Sequence, residues 1–274
     1  MKLKGAFPFL AFTIALVISG CSSSSAPTPT PTPTTIPMKN VEMFYVGDTP
    51  TGLKLFSEKY SFQVAFDLTT EALSQLISGK ATPLDPDYAN LWGSGTYLNL
   101  YTKDGTTGII DLKMGKLNVG AEAETRAIDQ LLWTVSTIDP TITGVLLLVD
   151  GQPIDSLAGH IDVSKKIMKL KAYNVLNALQ ISSFIQGATL ANPVIISGEA
   201  CTFEANVLWT LQKDNSVLKS EPTTAQSACP DRSKWSVNLG NLASGNYRFT
   251  VEEFSAKDGS LSARDDKSFK VAPK

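Results

Sequence analysis

Three thiols, one imidazole and a few neighbouring carboxylates are the side chains through which this 274-residue sequence could do chemistry. Cys21 ends a leader in which Lys2 and Lys4 precede an apolar run, Gly5 to Ile18, and the small residues Ser19 and Gly20. This is the layout of a secretory signal cut after Gly20, and the run is shorter than the ~20 apolar residues a membrane-spanning helix needs. Cys201 and Cys229 remain as an even pair in an exported chain, and we expect them to be bonded. Closing a loop of that length stabilises by about 3–4 kcal/mol on the chain-entropy model. A metal would want two more ligands, and the only histidine, His160, lies in the other half. A redox pair is more often Cys-x-x-Cys. His160 stands beside Asp162 and Ser164, the composition of a catalytic triad. Neighbours in one short stretch rarely reach triad geometry, and no Gly-x-Ser-x-Gly elbow is present. A surface or loop-ordering histidine is the expectation. Asp85 with Asp87, and Asp265 with Asp266, have the composition of carboxylate pairs or calcium ligands, but no calcium-loop spacing closes on a Glu. Solvated loop charge is expected at both. No Walker loop, Rossmann fingerprint or His-Glu-x-x-His occurs, so no enzyme, cofactor or metal is expected.

The elements that position these groups begin after the leader. Ile18-Ser19-Gly20-Cys21 resembles the lipobox of bacterial lipoproteins, which implies acylation of the Cys21 thiol and a chain that starts there. Residues 21–40 then form a tether, Ser22 to Ser25 followed by alternating Pro and Thr up to Pro37. Such a segment has nothing to bury and favours polyproline II. At ~3.1 Å per residue, Ser22 to Pro37 reaches roughly 50 Å, enough to lift a domain into the cell-wall zone. Its threonines suit O-glycosylation, as in stalks of this composition. Without residues 1–20 the chain keeps 22 basic against 26 acidic side chains, a formal charge of −4. We find no block of like charge, which argues against nucleic acid or an anionic membrane surface as the main partner. The lipid anchor would hold the chain to the membrane alone.

Residues 41–170 read as one module. Val41 to Val46 makes a first strand and Leu53 to Phe56 a second, short one. A helix is predicted from Thr69 to Ser78, with Asp67 or Thr69 as cap and Gly79 as stop. The stretch from Ala81 to Gly95 reads as a loop. Tyr97 to Tyr101 faces Gly108 to Leu112 across Asp104-Gly105, a hairpin. A second helix spans Ala121 to Ile138, with an apolar stripe through Ile128, Leu131 and Val135 and a stop at Pro140. Gly144 to Val149 is a buried strand. The order packs as a mixed sheet with two helices on one face, an α+β domain. This half resembles the GerMN-type domain of sporulation and spore-germination lipoproteins. The resemblance rests on the helix ending Leu76-Ile77-Ser78-Gly79, the hairpin ending Ile110-Asp111-Leu112, the turn Val149-Asp150-Gly151, and Gly159-His160-Ile161-Asp162-Val163-Ser164. Leu84 to Gly95 departs from the pattern by lacking a Pro-Gly-rich connection. The resemblance implies a small domain without known catalysis. It also implies kinship to ring-building modules, which allows homo-oligomers.

Residues 178–274 change to short strands at 193–198, 206–211, 234–239, 247–251 and 267–271, an antiparallel immunoglobulin-like β-sandwich. Trp209 and Trp235 fall at inward positions and are expected in its core. This half is similar to the immunoglobulin-like domain of bacterial spore germination. Ser197-Gly198-Glu199-Ala200, Phe203 to Trp209, and Glu252 to Ser260 carry the match, and Cys201 and Cys229 look like an added clamp. Glu252, Glu253, Lys257 and Asp258 lie in the most family-specific string and are the candidate docking surface. The sequence thus reads as a lipid-anchored, extracytoplasmic binding or scaffold protein for an envelope protein or cell-wall polymer. The alternative is an accessory sensor that captures a small molecule or glycan for a membrane kinase or hydrolase.

Overall fold

The computed structural model describes residues 36–64, 67–93 and 95–273. The leader, Gly20, Cys21 and the tether up to residue 35 lie outside the described residues. Among those described, no helix is long and apolar enough to cross a membrane.

The first half comprises β1 (Met38–Thr49), β2 (Gly52–Gln63), α1 (Leu68–Ile77), β3 (Tyr88–Ala89), β4 (Tyr97–Asp104) and β5 (Thr107–Lys113). It continues through α2 (Ala121–Ile138), β6 (Gly144–Val149), β7 (Gln152–Pro153), β8 (Ile167–Met168) and α3 (Ala172–Val175). The expected mixed sheet is two sheets. One runs β2-β1-β3, and the other β4-β5-β6-β7 with β8 also on β6. The β1 edge that would have joined them is taken by β3, whose Ala89 pairs with Val46. β5 and β6 are parallel because α2 carries the chain back between them. Leu73, Leu76 and Ile77 of α1 share one core with Leu131 and Leu132 of α2, Met43 and Tyr45 of β1, and Ile110 and Leu147. Asp67 caps α1 by accepting from the Thr70 N–H at 2.6 Å, and Gly79, at φ +72°, ends it.

The second half comprises β9 (Leu179–Ile181), β10 (Thr189–Leu190), β11 (Val194–Ala200), a turn of 3-10 helix (Phe203–Ala205) and β12 (Asn206–Lys213). β13 (Ser216–Thr224), β14 (Ser233–Gly240), β15 (Gly245–Phe254) and β16 (Leu261–Val271) complete it. Sheets β10-β16-β15-β12-β13 and β14-β11-β9 enclose a core in which Trp209 and Trp235 both stack on Phe249, at 5.5 and 6.2 Å between centroids. Gly198 admits β9 to this sandwich: a Cβ there would lie 1.8 Å from the Gln180 carbonyl oxygen. Cys201 and Cys229 are bonded, with Cα atoms 4.4 Å apart.

Two strands run well past their sequence-based bounds because an inward position holds a charge. β2 runs to Gln63 because Glu58 occupies an inward position among Phe56, Tyr60 and Phe62, and β16 starts at Leu261 because Asp265 and Lys267 alternate inward with Ala263 and Phe269. β13 was not expected at all. It is an edge strand exposed at every residue but Thr223, so it has no apolar period to read.

Candidate functional site

The inward charges of β2 and β16 converge where the two halves meet. Asp85, from the loop before β3, receives the Lys267 ammonium at 2.9 Å, with both side chains almost fully buried. Asp265 accepts from the Tyr88 hydroxyl at 2.9 Å and from the Ile181 N–H at 2.6 Å. Glu58 accepts from the N–H groups of Leu84 and Asp85 at 2.7 and 2.8 Å, which fixes the loop that carries Asp85. The Lys267 ammonium also lies 5.2 Å from the Tyr88 ring, which stacks on Phe56. Beside these groups, the Gln180 side-chain amide exchanges hydrogen bonds with the Ser57 backbone, donating at 2.6 Å and accepting at 3.2 Å. The junction therefore contains strands and loops of both halves joined through charge.

Asp265 and Glu58 are buried beside the Asp85–Lys267 pair, and burial resists their ionisation. Burial pushes the Asp265 carboxyl up to about 6, against the opposing pull of Lys267 and of its two hydrogen bonds. Burial also raises Glu58, against its donors. Tyr88 is pushed far above the usual phenol range, by burial first and then by the negative charge of Asp265. A lysine, a tyrosine and an acid titrating near neutrality resemble acid–base machinery. Each acid is, however, occupied by donors that belong to the fold. Cavities of about 220 and 340 Å³ flank the junction, the first lined by Glu42, Glu58, Phe184 and Lys267, the second by Asp48, Tyr88, Arg264 and Asp266. The expectation of solvated loop charge is thus corrected for Asp85 and Asp265, which are buried, whereas Asp87 is exposed and Asp266 pairs with Arg248 and Arg264 near the surface.

The proposed docking string divides. Glu252 and Glu253, at the end of β15, line a notch of about 280 Å³ with Phe203, Glu204, Leu208 and Phe254. Phe203 is 62% exposed and Phe254 45%, high for aromatic side chains. The Phe203 N–H donates to Glu253 at 2.7 Å, and the next residues, Glu204 and Ala205, adopt φ of +53° and +57°. Two such non-glycine conformations cost roughly 1–2 kcal/mol each. They are held by the neighbouring disulfide, by the Cys229 N–H on the Thr202 carbonyl at 3.1 Å, and by the Ala225 N–H on the Ala205 carbonyl at 2.8 Å. Lys257 and Asp258 lie in the following turn, where Asp258 accepts from the Ser260 hydroxyl and N–H and is held below the usual carboxylate range by them. Sequence reasoning missed Phe203 and Phe254 as surface residues, because aromatic side chains read as core.

His160, Asp162 and Ser164 do not form a triad. Asp162 accepts from the hydroxyl and N–H of Ser164 in a local turn. The His160 N–H instead donates to Glu124 at 3.0 Å, together with the N–H groups of Leu157 and Ala158 and the Ser156 hydroxyl. Burial pushes the Glu124 carboxyl up, but these four donors outweigh it and leave it below the usual range. The loop is ordered around a glutamate of α2, which the sequence showed only as a helix-start acid. Among the described residues, no group of three or more His, Cys, Asp or Glu is placed to hold a metal.

Residues 43–155 match the family model Germane, described as sporulation and spore germination, and residues 179–260 match Gmad2, the immunoglobulin-like domain of bacterial spore germination. The tandem GerMN domains of the sporulation protein GerM from Bacillus subtilis are similar at 15% identity and a TM-score of 0.41, over 68% of this chain and 60% of that one. The first GerMN domain of the same protein is similar at 16% identity and a TM-score of 0.37, over 48% of this chain and 98% of its own. No curated protein matches the chain.

Proposed function

We propose that this chain, which matches the sporulation and spore germination family over residues 43–155 and the immunoglobulin-like domain of bacterial spore germination over residues 179–260, is a non-catalytic envelope scaffold, anchored by a lipid on Cys21. The observation that carries this reading is the charged junction. A sensor that closes on a ligand needs modules free to hinge. Here, moving them apart would expose or strand Asp85, Lys267 and Asp265, and breaking such a buried pair is costly. The flanking cavities are lined by several charged side chains each, among them Glu42, Glu58 and Lys267 in one and Asp48, Arg264 and Asp266 in the other, where small-molecule pockets usually hold only a few polar groups. A rigid body that displays Phe203 and Phe254 beside Glu252 and Glu253 suits capture of a protein partner, since exposed aromatics are the usual anchors of interfaces.

Crosslinking in living cells, followed by mass spectrometry, tests this. A partner retained by the wild type should be lost from Phe203→Ser/Phe254→Ser, and equal recovery from both would refute the notch as the docking surface. Labelling with palmitate analogues should mark the wild type and leave Cys21→Ser unmarked. An unlabelled wild type recovered with soluble cytosolic protein would remove the anchored reading.

A further inference from the structure

We propose that residues 165–173, the strip leading out of the first half, are a contact surface for an anionic lipid bilayer. Lys165, Lys166, Lys169 and Lys171 alternate there with Ile167, Met168, Leu170 and Tyr173, and no acidic residue occurs between Asp162 and Glu199. This corrects the expectation that the chain has no block of like charge: averaging over the whole sequence hid a local one. Among the described residues, none of the four lysines forms a salt bridge. Asp162, the nearest acid in sequence to Lys165, is engaged by Ser164.

The strip is held rather than loose. β8 pairs with Gly144 and Val145 of β6, the Lys169 N–H donates to the Thr143 carbonyl at 2.8 Å, and Val175 and Leu176 are buried against Phe44, Leu55 and Trp133. Two of its lysines are engaged by the first half. Lys166 donates to the hydroxyls of Thr106 and Thr143 at 3.1 and 3.2 Å, and the Lys169 ammonium lies 3.9 Å from the centre of the Trp133 ring. Lys165 and Lys171 are exposed, as are Met168, Leu170 and Tyr173 at 54, 49 and 42%, and the Lys171 ammonium lies 5.9 Å from the centre of the Tyr173 ring.

The apolar residues decide the partner. A soluble polyanion would reward the lysines alone and leave three large apolar side chains in water. A bilayer takes both, with Met and Leu at the acyl boundary, Tyr at the headgroups, and ammonium groups on the phosphates. The use of the contact in the cell rests on the anchored reading, but the contact itself does not.

Amide hydrogen exchange of the full chain on vesicles tests the proposal. On phosphatidylglycerol-containing vesicles, exchange over 165–173 should slow at least about tenfold relative to pure phosphatidylcholine. Lys165→Gln/Lys171→Gln should weaken that contact about thirtyfold while leaving exchange in α2 unchanged. Equal exchange of the strip on the two vesicle types would overturn the proposal. So would equal slowing on phosphatidylcholine with soluble polyphosphate added, which would assign the strip to a polymer. Flotation with phosphatidylcholine vesicles reads the anchor separately. A chain that fails to float there loses the lipid reading, and the strip is then judged by whether flotation appears on phosphatidylglycerol and disappears with salt.

Discussion

The junction and the Phe203 notch hold the same kinds of residue in opposite circumstances. At the junction, Asp85, Asp265, Glu58 and Lys267 are buried and engaged by donors and acceptors from distant elements. At the notch, Glu204 is exposed, Glu252 and Glu253 are half-buried, and two phenylalanines stand in solvent. Charge that is buried and paired holds the chain together, whereas at the notch Glu253 shapes the Phe203 turn and Glu204 stands exposed beside the aromatic surface. The same contrast separates Glu124, buried among four donors, from Lys165 and Lys171 on the exposed strip.

If this division is right, the largest loss should come from the junction. Lys267→Met leaves Asp85, Asp265 and Glu58 buried without a cation and should cost about 3–5 kcal/mol by denaturant unfolding, part of which Asp85→Leu in the same chain restores. A loss below ~1 kcal/mol would place the junction with the solvated surface. Cys201→Ala/Cys229→Ala should cost about 3–4 kcal/mol and also release the Phe203 turn, seen as faster exchange at residues 203–205. Acid titration sharpens the comparison next. The Asp265 carboxyl binds its proton more tightly in the folded chain, at about 6, than at its ordinary 3.8. Its contribution to stability is therefore complete below about pH 4 and is lost as pH rises through 6, by about 3 kcal/mol. Stability of the wild type relative to Asp265→Asn should fall over that window, and a flat difference would contradict the burial argument. The smallest effect belongs to the notch: Phe203→Ser/Phe254→Ser should change stability by less than ~0.5 kcal/mol while abolishing partner capture.

Where local pattern and final environment agree, the fold was readable. The helix from Ala121 to Ile138 carries an apolar stripe along its whole length, and the hairpin turns at Asp104-Gly105, with Gly105 at φ +55°. Trp209 and Trp235 alternate inward and are buried. Where an inward position holds a charge, the period-2 signal stops. Glu58 cut β2 short in the sequence reading, and Asp265 removed the first half of β16, which was read only from Lys267. The exposed edge β13 failed for the converse reason, since neither face is buried and no alternation is imposed.

Composition and short-range order by themselves determined the apolar run before Cys21, the proline-rich segment after it, two helices and a set of strands, and an even pair of cysteines besides Cys21. Those features depend on residues near one another in the chain, or on parity alone. Only the tertiary structure decided that the α+β half has two sheets, that Glu124 organises the His160 loop, and that Lys267 finds Asp85 across 182 positions of sequence. A buried charge is tolerated only when its partner is in place, and no local pattern carries the identity of a partner that far away.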